Sequence, residues 1–208
     1  WNNRMFLHQN NDERPLTLAD AFIMPDYELY KNAYKIEYWF ENLYGIIKSF
    51  ISHNKSSTML ITGEPGIGKS SVISWIANKY QKEDRVIILR FRDWEYEELQ
   101  KGLLKAIFLT LHCDKGDLEN KVLIIDGFDE IKSVGSKDSI LDDFFNDILD
   151  YKNFKVIITS RPDYIRKKLF RNIVSLLPFG ISKISEFYKI ITGNRLDVSK
   201  INDINIIG

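Results

Sequence analysis

Cysteine is nearly missing from this chain, with Cys113 its only one. An internal disulfide is therefore excluded, and so is a thiolate zinc site, because Cys113 and His112 have no second pair of ligands. Their stretch reads as helix, and the thiol as a buried structural one. Neither charge is in excess, at 29 Lys plus Arg against 29 Asp plus Glu. That balance removes the basic footprint of a nucleic-acid binder, so nucleic acid is not indicated as a partner. No run approaches the roughly 18 apolar residues of a membrane span, and no basic segment precedes an apolar one at the start as in a secretory signal. No membrane partner is expected, and the expected location is the cytoplasm. Internal repeats and Gly/Ser- or Pro-rich linkers are lacking too. The 208 residues are 44% hydrophobic, enough to bury a core of one domain with at most a small appendage. The chain begins at Trp1 rather than Met and reads as a piece of something longer.

What is present is a regular alternation. Residues 1–35 form a polar, irregular lead-in with turn signals at Pro15 and Pro25-Asp26. Ile36, Trp39, Phe40, Leu43, Ile46, Ile47, Phe50 and Ile51 then follow helical spacing, opposite Glu37, Glu41 and Lys48. Short runs rich in Ile and Val come next, at 58–62, 86–91, 122–125, 156–159 and 173–177, and read as buried parallel strands. Helical stretches lie at 70–80, 97–112, 139–151, 163–170 and 181–192. In the third, Ile140, Leu141, Phe144, Phe145, Ile148 and Leu149 mark a buried face, and Asp142, Asp143 and Asp147 face water. This order predicts an α/β fold, an open and mostly parallel sheet flanked by helices, with ligands at the carboxyl ends of its strands.

The first strand runs into Gly63-Glu64-Pro65-Gly66-Ile67-Gly68-Lys69-Ser70-Ser71, and a helix follows. Strand, glycine-rich loop and helix in this order make a P-loop, or Walker A motif. Glycines let successive N–H groups face phosphate oxygens, and the helix adds its positive end. Pro65 stiffens the loop. Lys69 is placed to reach the β and γ phosphates of a nucleotide, and the Ser70 hydroxyl to ligate Mg²⁺. Val122-Leu123-Ile124-Ile125-Asp126 is a buried strand ending in a carboxylate, the Walker B arrangement that holds the shell of Mg²⁺. Just beyond stand Asp129 and Glu130, either of which is a candidate to polarise the attacking water. The strand 156–159 leads to Ser160, Arg161 and Pro162. Arg161 is a candidate sensor of the γ-phosphate, and Thr159 or Ser160 a candidate hydrogen-bond partner for it or for the water. No Asn-Lys-x-Asp guanine motif exists, since Asn54-Lys55, Asn78-Lys79 and Asn120-Lys121 all lack the aspartate. Adenine is the expected base, with ATP or ADP and Mg²⁺ as cofactors.

Together GEPGIGKS, LIIDGFDE and TSRP resemble the NACHT clade of the STAND NTPases, the switch ATPases of animal innate-immune sensors and bacterial anti-phage defence proteins. The glycine directly after the Walker B aspartate, the acidic pair two positions on, and Thr-Ser-Arg-Pro after the next strand carry the likeness. The segment IVSLLPF at 173–179, with the helix holding Phe187 and Tyr188, looks like the elements that close the family's sheet. FIMPDY at 22–27 is similar to the segment preceding the domain in bacterial members. The resemblance implies five strands in the order 5-1-4-3-2, a NACHT-like domain over 36–195, and the start of a helical segment at 196–208. It also implies Lys69 and Ser70 at the phosphates and Mg²⁺, Asp126 at the Mg²⁺ shell, and Arg161 as sensor 1. The family's adenine-covering proline and phosphate-contacting histidine would fall after Gly208.

A slow, nucleotide-controlled ATPase switch is thus the leading expectation, self-associating in its ATP state, with effector and sensor domains outside 1–208. The alternatives are a small-molecule P-loop kinase and an AAA-type motor or DNA-loading ATPase. The first is disfavoured because no arginine follows Arg92 before the strand at 122.

Overall fold

A computed structural model describes residues 21–32, 34–36, 42–80, 85–131 and 138–196. Two compact units divide the chain, Tyr27–Leu177 and a smaller one from Trp1–Asp26 with Pro178–Gly208.

The larger unit is built on one seven-stranded sheet. Its strands are β1 (Tyr27–Lys31), β2 (Tyr34–Ile36), β3 (Ser57–Thr62), β4 (Val86–Arg90), β5 (Val122–Asp126), β6 (Lys155–Ser160) and β7 (Asn172–Leu176). Their order is β2-β1-β7-β3-β6-β5-β4. The last five are mutually parallel and, counted among themselves, run 5-1-4-3-2 as expected. The expected count of five strands is corrected to seven among the described residues. Part of the supposedly irregular lead-in folds as an antiparallel hairpin, with Leu29 opposite Ile36 and Lys31 opposite Tyr34. Asn32 turns that hairpin at φ 51°, a left-handed conformation asparagine tolerates. Its N–H donates to Arg171 O at 2.9 Å, and β1 adds antiparallel to β7.

Helices in this unit are α1 (Leu43–Ser52), α2 (Lys69–Tyr80), α3 (Tyr96–Gln100), α4 (Leu103–Leu111), α5 (Lys115–Leu118) and α6 (Asp138–Asp147). Asn42 caps α1 by accepting from the Gly45 N–H at 2.9 Å. Four residues of the expected helix onset, Glu37, Trp39, Phe40 and Glu41, lie outside the described residues, and Ile36 belongs to β2. The single helix expected at 97–112 is two, because Gly102 takes φ 117° between them. His112 ends α4 in the left-handed region at φ 50°, so Cys113 follows the helix, half-buried rather than buried. The helix expected at 163–170 is replaced by two short 3₁₀ turns, Pro162–Tyr164 and Lys167–Leu169. Ile165 and Phe170, both buried, are five residues apart, a spacing one α-helical face does not provide. Leu149 lies past the end of α6 and is 74% exposed.

Strand alternation gives the sheet two buried faces. Leu60, Leu123, Ile125, Val156, Ile158 and Ile173 join one core with Leu103 and Ile107 of α4 and Leu141 and Phe144 of α6. Met59, Ile61, Ile124, Ile157 and Val174 are buried on the other face. There Tyr44 of α1 meets Trp75 of α2 edge to face at 5.5 Å.

The smaller unit contributes α7 (Ile181–Thr192), ended by Gly193 at φ 71°. Lys183 on this helix donates to Met24 O at 2.7 Å and pairs with Asp26 at 2.6 Å.

At the leading edge of β6 sits Lys155, only 1% exposed. Its ammonium donates to the Lys55 carbonyl and to Asn153 Oδ1, and among the described residues no carboxylate neutralises it. Burial, with the positive Arg85 nearby, lowers its pKa from 10.5 to about 8. Between pH 8 and 10.5 the unfolded chain therefore holds the extra proton, and stability rises with pH through that window. Below it both states are charged and the destabilisation is constant. Urea unfolding from pH 7 to 10.5 should show a gain of up to about 3 kcal/mol that Lys155→Met removes; identical profiles would refute the assignment.

Candidate functional site

The parallel register decides which loops meet. Thr62 of β3 lies beside Ser160 of β6, and Ile125 of β5 beside Ile158. The segments after β3, β5 and β6 therefore leave the same edge of the sheet. There they enclose a cleft of about 330 Å³, whose walls include Gly66, Lys69, Ser70, Asp126, Glu130 and Arg161.

Its first wall is the loop 63–68. Gly66 and Gly68 adopt φ 75° and 100°, left-handed conformations that other residues rarely take. Gly63 is needed for a different reason, since a Cβ there would lie 2.8 Å from Ile67 Cγ2 and 3.3 Å from the Leu176 carbonyl oxygen. Pro65, Gly66, Gly68, Lys69, Ser70 and Ser71 line the cleft, whereas Gly63, Glu64 and Ile67 hold the loop's shape behind it. The N–H groups of Gly66, Gly68, Lys69, Ser70 and Ser71 have no acceptor among the described residues. Donors of this kind at the start of α2 suit an anion, and no acidic residue occupies the helix's first turn. Lys69 Nζ donates to the carbonyls of Gly63 (2.6 Å) and Glu64 (3.0 Å). Its pKa is lowered, first by burial and then by Arg161, against the opposing pull of Asp129 and Asp126. An ammonium so placed is poorly compensated and favours an incoming anion.

The second wall is the end of β5. Asp126 Oδ2 accepts from Ser70 Oγ at 2.9 Å, and Oδ1 accepts from Thr159 Oγ1 at 2.5 Å. Thr159 in turn accepts from the Gly127 N–H at 2.8 Å, so its own proton is committed to Asp126. A hydroxyl and a carboxylate in contact, beside five free N–H donors, form the oxygen set that a hard divalent cation shares with phosphates and water. Among the described residues no cluster of three or more His, Cys, Asp or Glu side chains could hold a metal alone. A cation here would need the anion's oxygens as well.

Asp129 and Glu130, indistinguishable in the sequence, are sharply different in space. Asp129 is 9% exposed in its side chain and grips Arg161 twice, through Nε at 2.9 Å and the backbone N–H at 3.1 Å. Arg161 also stacks over Tyr164 at 5.8 Å. Glu130 is 47% exposed and lies 4.0 Å from Arg92 Nε. Gly127, at φ 80°, makes room for it, since a Cβ there would come 2.8 Å from Glu130 Cδ. Sequence reasoning missed Thr159 as the partner of Asp126, Arg92 as the neighbour of Glu130, and the purpose of Gly127. Ser160, considered for phosphate contact, is fully buried and does not line the cleft, because alternation turns it to the opposite face from Thr159.

Fold and site together define a P-loop NTPase module, in which a nucleotide's phosphates meet the loop at the carboxyl edge of a parallel sheet. The chain belongs to the NACHT domain family, whose profile matches residues 57–190. No curated protein matches it. Among solved structures it is similar to AMPPCP-bound DnaA from Aquifex aeolicus, at 17% identity and a TM-score of 0.51, covering 76% of this chain and 54% of that one. A DnaA bound to AMPPCP and single-stranded DNA gives 18%, 0.51, 76% and 53%. A RuvB variant from Thermotoga maritima gives 20% and 0.42, covering 64% of this chain and 42% of that one. The chain thus spans about half the length of these neighbours, and the two DnaA structures share its fold.

Replacing the bridging hydroxyl tests the geometry directly. Thr159→Val keeps the shape but strands the buried Gly127 N–H, and should lower unfolding free energy by about 1–3 kcal/mol, with Thr159→Ser recovering most of it. Equal urea midpoints for Val and wild type would contradict the bridge.

Proposed function

We propose that this module is the nucleotide-controlled switch of a STAND signalling protein. In this reading it binds ADP or ATP with Mg²⁺, hydrolyses ATP slowly, and self-associates in the ATP state. The observation that carries the reading is the meeting of five free N–H donors and Lys69 with the Ser70–Asp126 pair. An effector and a sensor in the parent protein, an innate-immune or anti-phage role and a cytoplasmic location belong to the same proposal, resting on the family. Among the described residues no helix is long and apolar enough to cross a membrane.

The residues divide the work as follows. Gly66, Gly68, Ser70 and Ser71 offer N–H groups to the phosphates, and Lys69 swings from the loop carbonyls to the β and γ oxygens. Ser70 and Asp126 would hold the cation, which when bound would offset phosphate charge. Glu130, the less restrained carboxylate, accepts a proton from the attacking water. Arg161, held by Asp129, presents its remaining guanidinium N–H groups toward the γ position. Asp129 is then a positioning residue, and its burial against Arg161 beside the more exposed Glu130 supports Glu130 as the base.

Two measurements test this. Calorimetry with Mg-bound ADP, ATP, GDP and GTP should show adenine preference, and equal or tighter GDP binding would sink the base assignment. In the intact parent, Lys69→Ala should cost on the order of 2–5 kcal/mol of nucleotide affinity. Glu130→Gln should leave ATP affinity within a few fold while slowing phosphate release by about 10² and accumulating the ATP-bound assembly. If Asp129→Asn traps that assembly and Glu130→Gln does not, the division of roles between the two carboxylates is wrong.

A further inference from the structure

A second cavity, of about 260 Å³, lies at the other end of the strands, between α1, the β1–β2 hairpin and the leading ends of β3 and β7. Ser57 at this end and Gly63 at the cleft are separated by the length of β3, roughly 20 Å, so the two sites are distinct. The cavity floor is apolar, formed by the buried Leu29, Ile46, Phe50 and Met59. Its rim carries Lys31, His53 and Arg171, all exposed.

Lys31, the last residue of β1, pairs in register with Asn172, the first of β7, and Arg171 directly precedes that strand, so both cations reach the rim of the cavity. Among the described residues no carboxylate lines the cavity, and neither Lys31 nor Arg171 has an ion-pair partner. Elsewhere on the same hairpin a lysine is matched, Lys35 to Glu28 at 2.6 Å. An apolar floor beneath two uncompensated cations calls for a ligand with one charged end. Its size falls short of the ~300 Å³ at which drug-sized sites begin, so the ligand is small.

We infer that this cavity binds a small amphipathic anion, its apolar body on Met59 and Phe50 and its carboxylate or phosphate head between Lys31 and Arg171. The guanidinium takes such a head through paired hydrogen bonds, and the lysine adds charge.

Methionine-methyl NMR of the 208-residue chain provides the test, because the sequence has three Met and among the described residues only Met59 lines the cavity. Octanoate and octyl phosphate serve as probes, with octanol and inorganic phosphate as the tail-only and head-only controls. At least one amphipathic anion should shift the Met59 methyl saturably while Met24 stays still, and the tighter of the two identifies the head group. Each control should bind at least about tenfold more weakly, and Lys31→Gln with Arg171→Gln should weaken the tighter anion by about tenfold. Ile46→Trp, which fills the cavity, should abolish the shift; the rim variant, being on the surface, tests the site even if that core variant fails to fold. An unmoved Met59, octanol or phosphate binding as tightly as the amphipathic anions, or a rim variant with wild-type affinity would overturn the inference.

Discussion

Everything at the nucleotide edge depends on the in-register parallel pairing of β3, β6 and β5. Because Thr62 stands beside Ser160 and Ile125 beside Ile158, three chain segments far apart in sequence leave the sheet at one level. A slip of one residue would turn Asp126 and Thr159 to the opposite face and bring Ile125 and Ile158 toward α2. The buried hydroxyl of Thr159 reinforces the register by joining the Gly127 N–H and the Asp126 carboxylate across two strands. With both faces of the sheet covered by apolar helices, the slip is opposed by the whole core as well.

From that constraint the site's electrostatics follow. The loop delivers unpaired donors and a lysine whose burial makes its charge costly until an anion arrives. Asp126 is held by two hydroxyls and is aimed at the same point. Beyond it, one carboxylate of the acidic pair fixes an arginine and the other stays at the mouth of the cleft, half-exposed near Arg92. In the proposed function, positioning and chemistry fall to these neighbouring residues, Asp129 and Glu130.

Much of this was legible in the sequence, and the limits are physical. The P-loop could be read because strand, glycines, Lys69 and helix are contiguous, and the five parallel strands because each is a short, mostly apolar run. The hairpin of β1 and β2 was hidden because its exposed face is polar and Ile36 also fits the helical period that follows. Gly102 broke a helix whose apolar spacing continued across it. The bonds of Thr159 to Asp126 and of Asp129 to Arg161 link residues 33 and 32 positions apart, so only the sheet's register reveals them. The cationic cavity draws Lys31 from the end of β1 and Arg171 from just before β7, and no local motif announces it.

The central claim is that the loop's free N–H groups, held by the sheet register, are what receives the nucleotide. Amide-resolved NMR of the labelled chain, titrated with Mg-ADP, tests it most directly. The account predicts that the amides of Gly66, Gly68, Lys69, Ser70 and Ser71 shift together along one saturation curve and gain protection from hydrogen exchange. Saturable ADP binding that leaves those five amides unmoved would contradict it.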